Sequence, residues 1–370
     1  MPRLKTRVNN VSNLFLPLSV LVILIIINLI KGADYFKITM VNGAFYGNIP
    51  NILFGASELV ILSIGMTFVT AASRGQDISI GESGAISSAI FVQYVLSSGN
   101  VTLWTILVGF VISCLAGIVI GAFNGTLVSF FNVQPMVATL ILFLGGRSIA
   151  FIIDGKVSPI LANEISNRIG TVIPGVPIHT PIILTVVFIA IVAVILKTTN
   201  LRLYVEAVGV NPSAARLNGI NPKKVIFLTF VLMGVFSAVA GFIAVNKAGR
   251  HDSVNLLKFI MMDAILAVAL GGNSLSGGKF SITGSIIGAY TIEVLNRTLL
   301  RLEVNPEAIK LFKAVFIIVL MIIASPVVRV YAKKALDKAK GIFSNYSAGQ
   351  TGGLSNGAVS AADTTGKRGE

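Results

Sequence analysis

Ten predominantly apolar runs alternate with polar intervals along this chain: Leu14–Ile30, Asn51–Ala72, Gly81–Leu96, Leu103–Phe123, Val133–Ile153, Pro181–Leu196, Val225–Val245, Phe259–Leu270, Ser281–Leu299 and Leu311–Val328. Most approach the roughly 20 residues that a helix needs to cross a hydrocarbon core. The pattern predicts an all-α integral membrane protein of about ten transmembrane helices, with one membrane domain over residues 14–328. Two runs stand apart. Gly81–Leu96 is short, rich in small residues and preceded by a Gly-containing break, so it is either a full or a broken span. Phe259–Leu270 is marginal in length and either crosses or is partly re-entrant. Short, Gly-interrupted segments of transporters often lie near the pathway. The first run follows a basic start (Arg3, Lys5, Arg7), which also fits a cleaved signal peptide. Its length, and Lys31 where a cleavage site needs small residues, favour a retained span after a cytoplasmic segment 1–13.

The polar interval Thr198–Lys224 reads TTNLRLYVEAVGVNPSAARLNGINPKK, with Lys197 at its border and Arg202, Arg216, Lys223 and Lys224 inside it. Short flanking loops rich in Lys and Arg stay in the cytoplasm. Asn211 as cap, Pro212 in the first turn and Gly219 as stop predict a helix of about two turns, held against the inner membrane face. A second basic cluster (Arg329, Lys333, Lys334, Lys338, Lys340) follows the last run. Ten spans place both clusters on one side, so both termini are expected in the cytoplasm. Residues 329–342 read as a basic membrane-surface segment. Residues 343–370, rich in Gly, Ser, Ala and Thr, read as a disordered tail.

Composition changes the picture in one respect. Of 370 residues, 54% are apolar and 12% charged, with a mean hydropathy of +0.87. A soluble domain carries about 25% charged residues, so lipid is the expected solvent. The net charge of +14 would suggest nucleic acid in a soluble protein. Here many cations border apolar runs, which points to topology and anionic headgroups; no nucleic-acid partner is expected. The single cysteine, Cys114, excludes an internal disulfide and reads as a small buried apolar residue.

Candidate chemistry is sparse. GGNSLSGGKF has the glycine spacing of a phosphate loop at Gly272 and Gly277, but Gly278 stands where the Lys is required. It reads as a tight turn; if ATP drives this protein, another chain binds it. Glu58, Arg147, Asp263 and Glu293 lie in or near spans, where an ionisable group marks a functional or interhelical site. They are candidates for lining a hydrated passage, the alternative being interhelical pairing or headgroup contact. Asn124 and Gln134 could hydrogen-bond a polar solute or satisfy helix ends. Gly117, Gly121 and Gly125, and likewise Gly284 and Gly288, recur every fourth residue and predict close helix packing, within the chain or between subunits. Gly75, Ser79, Ile80 and Ser83 recur as Gly277, Ser281, Ile282 and Ser285, the trace of a parallel internal repeat. No catalytic residue, metal-ligand cluster or nucleotide fingerprint is legible.

Glu206-Ala207 followed by Gly219-Ile220 resembles the EAA-type loop of permease subunits in ABC importers. Val133–Ala150 and Asp263–Ala289 are similar to permeases of the ribose, xylose and galactofuranose uptake group, and the resemblance extends over roughly Ile52 to Ser325. It implies that Glu206, Ala207, Ala214, Ala215 and Gly219 dock on and couple to a cytoplasmic ABC ATPase, with ATP-Mg on that partner and no cofactor in this chain. It further implies an extracytoplasmic sugar-binding protein, a second permease copy or paralogue, and a bacterial inner-membrane location. Asp154–Thr180 and Arg250–Asn255 are then the expected outer contacts of the binding protein. The rival is an ion-coupled secondary carrier of small polar solutes. It needs a paired acid or base near mid-membrane and no central loop.

Overall fold

In the computed structural model the first nine apolar runs are largely helical. The structure describes residues 2–315 except 42, 162, 306, 307 and 310, without the side chains of 2–16, 33 and 34. The chain divides into two units, 1–309 and 310–370, and every element named below belongs to the first. Helix α1 (Pro2–Lys31) leads through a 3-10 turn (Ala33–Phe36) to a small antiparallel hairpin, β1 (Thr39–Val41) and β2 (Ala44–Tyr46), with Thr39 opposite Tyr46. Then follow α2 (Asn48–Gly55), α3 (Ser57–Ser73), α4 (Ile80–Ser97), α5 (Leu103–Ser129), α6 (Pro135–Ile153), α7 (Glu164–Gly170) and α8 (Thr180–Thr198). The remainder is α9 (Leu201–Val210), α10 (Pro212–Leu217), α11 (Pro222–Ala248), α12 (Ile260–Leu270) and α13 (Ile282–Arg301). The expected tenth span runs beyond residue 315, and it and the segments 329–342 and 343–370 lie largely or wholly outside the described residues.

Local chemistry sets most boundaries. Proline opens α6, α8, α10 and α11 within the first two positions, where its missing N–H would have had no helical partner. Asn163, Asn211, Asn221 and Ser281 cap α7, α10, α11 and α13 through their side chains, each worth about 1 kcal/mol. Ser79 and Ser281, 202 residues apart in the internal repeat read from the sequence, both occupy the N-cap position of their helices.

Burial sorts the helices into a centre and a rim. Every residue of α3 from Ser57 to Ala72 is buried, as is most of α4. Around them, α5, α6 and α8 leave large apolar side chains on the surface, among them Val119, Leu144, Val187 and Val194. Such a rim is incompatible with water and suited to lipid. Among the described residues four helices, α5, α6, α8 and α11, are each long and apolar enough to cross a membrane, and the bent pair α2–α3 adds a fifth.

The glycine stripe of α5 packs within the chain. A Cβ at Gly117 or Gly121 would strike the backbone of Gly234 or Phe230 in α11, so small residues let these two helices approach closely. Gly284 and Gly288 of α13 meet Gly271 and Ala267 in the same way.

Three expectations need correction. The run Asn51–Ala72 is not one straight helix: α2 and α3 meet at 44°. The break falls at Gly55, whose bare Cα faces Glu293 and Arg297 of α13. The central interval holds two helices, because Val205, Val208 and Gly209 form a buried stripe at helical spacing that also orders α9. Finally, Arg250–Asn255 is not simply an outer surface, since His251 and Ser253 are buried.

Candidate coupling surface and buried polar sites

One end of the bundle gathers the α3–α4, α5–α6, α8–α11 and α12–α13 connections. At this end α9 and α10 form a projecting elbow. The Asn211 carboxamide oxygen accepts from the N–H groups of Ser213 and Ala214 at 3.0 and 3.1 Å. At the other end of α10 the Ile220 N–H reaches back to the Ala215 carbonyl at 3.1 Å, and Gly219 has φ +79°. A residue with a β-carbon in that left-handed region costs about 1–2 kcal/mol. Ala215 is buried beneath the elbow, whereas Ala214 and Gly219 are exposed. Ala207 and Glu206 are half-buried on α9, and Glu206 pairs along its own helix with Arg202 at 3.2 Å. Lys197, Arg202, Arg216, Lys223 and Lys224 are all exposed here. So are four large apolar side chains, Leu203, Tyr204, Val210 and Leu217, the last of them 90% exposed.

The candidate passage residues do not converge on one site. They fall into separate groups at different depths. At the end opposite the elbow, Glu58 near the start of α3 bonds Lys247 of α11 at 2.9 Å. The Lys247 ammonium also donates to the Phe54 carbonyl at 2.8 Å and lies 4.2 Å from the Phe54 ring centre. Glu293 of α13 pairs with Arg297 at 2.8 Å, and both face the helix break at Gly55. Glu58 and Glu293 therefore share one mixed-charge cluster beside the α2–α3 bend.

Arg147 belongs to a second group, deeper in the bundle. Its Nε donates to Glu82 of α4 at 3.0 Å. Its Nη1 lies 3.0–3.1 Å from the carbonyls of Ser253, Val254 and Leu256. The segment 249–259 thus folds back into the bundle. Gly241 of α11 already faces Gly84, about two turns before α11 ends, yet Leu257 returns to the level of Gly81 and Gly84. Non-helical backbone at this depth needs protein partners for its carbonyls, and Arg147 supplies them. His251 anchors the same segment, with Nδ1 2.6 Å from Asp154 and Nε2 3.0 Å from Ser88 Oγ. All three of these side chains are buried. Leu257 and Phe259 take left-handed φ values of 54° and 62° where the chain turns into α12.

The remaining candidates stand elsewhere. Asn124 is buried and donates to Ser79 Oγ at 2.9 Å, tying α5 to the cap of α4. Gln134 is exposed at the N-cap of α6 without capping it through its side chain. Asp263 lies half-buried in the first turn of α12. Among the described residues no group of three or more His, Cys, Asp or Glu is placed to hold a metal ion.

Sequence reasoning passes over Glu82, Lys247, Asp154 and Arg74. Glu82 is the most accessible of these, because it is an acid among small residues within a run expected to be a span. Lys247 sits at a helix end, where a cation ordinarily reads as an interfacial anchor.

A helical bundle with a lipid-suited rim and buried charges paired across helices defines a multi-pass membrane protein. Residues 48–325 match the family described as branched-chain amino acid transport system / permease component, and the chain belongs to that family. It is 34% identical to the fructose import permease protein FruF of Bifidobacterium longum, over 85% of this chain and 88% of the relative. It is 31% identical to the galactofuranose transporter permease protein YtfT of Escherichia coli, over 82% and 87% of the two chains. It is 34% identical to the ribose import permease protein RbsC of Haemophilus influenzae, over 76% and 87%. No solved structure matches the chain. The resemblance to permeases of sugar importers is thereby borne out.

Proposed function

We propose that this chain is the membrane-spanning subunit of an ATP-driven importer that moves a monosaccharide across the bacterial inner membrane. It would cross about ten times with both termini in the cytoplasm. The observation that carries the reading is the α9–α10 elbow: two short helices, capped and anchored to the bundle, presenting exposed apolar side chains among five cations. A lipid-embedded protein has little reason to expose Leu217 beside so much charge unless a partner covers it. The partner is a cytoplasmic ATPase bearing ATP-Mg, which would move the elbow as it closes on nucleotide. A binding protein on the other side delivers the sugar, and a second permease copy or paralogue completes the passage. The named relatives import fructose, galactofuranose and ribose, which supports a monosaccharide as cargo.

Two polar groups would serve that passage. The Glu58–Lys247–Glu293–Arg297 cluster lies at the outer end, beside a broken helix of the kind that borders transporter sites. The Arg147–Glu82 pair lies deeper. There Glu82 Oε2 and Arg147 Nη2 are buried without a protein partner, and a sugar hydroxyl admitted to the pair would donate to the carboxylate and accept from the guanidinium.

The test is transport by two variants in proteoliposomes with the ATPase and binding protein. Gly219→Val strains the end of α10, and Glu206→Lys reverses the charge on α9. Both should insert normally, bind the external protein and lose ATP-dependent uptake by about tenfold or more, equivalent to about 1.4 kcal/mol of coupling. Normal ATP-dependent uptake by both variants would contradict coupling through the elbow.

A further inference from the structure

We infer that Arg74 is the residue through which movement of the α9–α10 elbow enters the centre of the bundle. The inference rests on the coupling role proposed for the elbow and adds a route. Covalently, α9 continues from α8, but the link through Thr199 and Asn200 is exposed and non-helical. Its non-covalent attachment is far closer. Arg74 Nε donates to the Gly209 carbonyl at 2.8 Å and Nη2 to the Val210 carbonyl at 2.7 Å. These are the last two carbonyls of α9, which have no partner within the helix. Arg74 is also the C-cap of α3, in the left-handed region at φ 60°, with its own N–H bonded to Thr70. One guanidinium-bearing residue therefore joins the negative ends of two helices.

The surfaces beneath it are fitted without slack. A Cβ on Gly209 would collide with the Ala71 carbonyl. That carbonyl accepts from the Gly278 N–H at 3.0 Å, and Gly278 packs on Val210. Gln76 reaches the Leu275 carbonyl at 3.2 Å. Three segments thus close on one point: the end of α3, the end of α9 and the turn that leads into α13. The glycine-rich turn that fails as a phosphate loop becomes part of this joint.

From the joint, α3 distributes displacement. Thr67 bonds Ser285 of α13 at 2.7 Å, Gly65 abuts Met233 and Phe236 of α11, and Glu58 at the far end holds Lys247. The route runs from the elbow through Arg74 and α3 to the outer charge cluster. Arg74 is a positioning residue, with no contact to cargo required.

The experiment uses the assembled importer in proteoliposomes and three readouts: ATPase captured, ATP hydrolysed, and sugar taken up per ATP. For Arg74→Ala the expected result is capture and hydrolysis within about twofold of wild type, with uptake per ATP lower by about tenfold. Gly209→Ala, whose added methyl pushes α9 off α3, should behave alike. Arg74→Lys keeps the charge and one donor and should lose less. If Arg74→Ala does not insert, uptake per ATP for Arg74→Lys decides, a clear fall supporting the route. Unchanged uptake per ATP in the inserted variants would overturn it. So would loss of ATPase capture by Arg74→Ala, which would make Arg74 part of the docking surface. Leu217→Asp separates the two levels: if it still captures the ATPase and transports normally, the elbow is not the coupling surface, whatever Arg74 does.

Discussion

Helices α3 and α8 both end at the elbow, and they could hardly differ more. In α8 only Thr180, Pro181, Thr185 and Val192 are buried, and its exposed face is a row of aliphatic side chains. In α3, all residues from Ser57 to Ala72 are buried, including Ser57, Glu58, Ser63, Thr67 and Thr70. By chain connectivity α8 is the elbow's neighbour, since only Thr199 and Asn200 separate it from α9. By packing and hydrogen bonding the neighbour is α3, through Arg74, Ala71 and Gly209. A lipid-facing helix held by few directed contacts can shift without moving the centre. A fully packed helix transmits displacement, because protein interiors behave as close-packed solids. In the proposed route, connectivity along the chain and the path of force are separate properties.

Substitutions on the two helices sharpen this contrast. The larger effect is expected at Glu58. Glu58→Gln removes the partner of a mostly buried ammonium, and breaking such a pair costs about 3 kcal/mol. The thermal midpoint of the purified protein should fall by several degrees, and uptake should drop even where the variant inserts. Glu58→Gln combined with Lys247→Met should recover most of the stability, because it removes the stranded charge. If uptake returns with stability, the pair is structural; if it stays low, the charges serve the passage. The smaller effect is expected on α8. Val187→Leu, at a position 49% exposed on the lipid-suited rim, should change stability by less than about 0.5 kcal/mol and leave uptake within error. A substantial loss of uptake there, with insertion normal, would mean that α8 meets a partner subunit and not lipid, and the contrast with α3 would fail.

How far the sequence can be read follows the same division. The rim is legible, because continuous apolar runs as long as Leu103–Phe123 and Pro181–Leu196 are hard to place anywhere but in a membrane. The α10 cap is legible too, since Asn211, Pro212 and Gly219 act on backbone groups within a few residues of themselves. The pairings are not. Arg147 reads as an intramembrane cation in need of an acid, but Glu82 is 65 residues away and its proximity is a property of how α4 and α6 pack. The break at Gly55 is hidden by an unbroken apolar run, and the close approach of Glu293 and Arg297 from α13 to the bare Gly55 Cα is a tertiary contact that no local pattern announces. The return of residues 249–259 into the bundle is invisible for a similar reason. His251, Ser253 and Asn255 read as polar loop, and it is sequence-distant partners, among them Asp154, Ser88, Arg147 and the Ala85 and Pro159 carbonyls, that let His251 and Ser253 be buried. Helix α9 escapes notice because its ordering stripe, Val205, Val208 and Gly209, lies in an interval dominated by charge.

In the proposed coupling, the α9–α10 elbow is the surface through which an ATPase would drive this permease. The most direct test places a photo-crosslinking amino acid at position 217, the most exposed large apolar side chain of the elbow, in the assembled importer. The expected result is a cross-link to the ATPase subunit whose yield changes between the nucleotide-free and ATP-bound states. A cross-linker at 217 that captures only lipid or the external binding protein, in an importer that still transports, would contradict it.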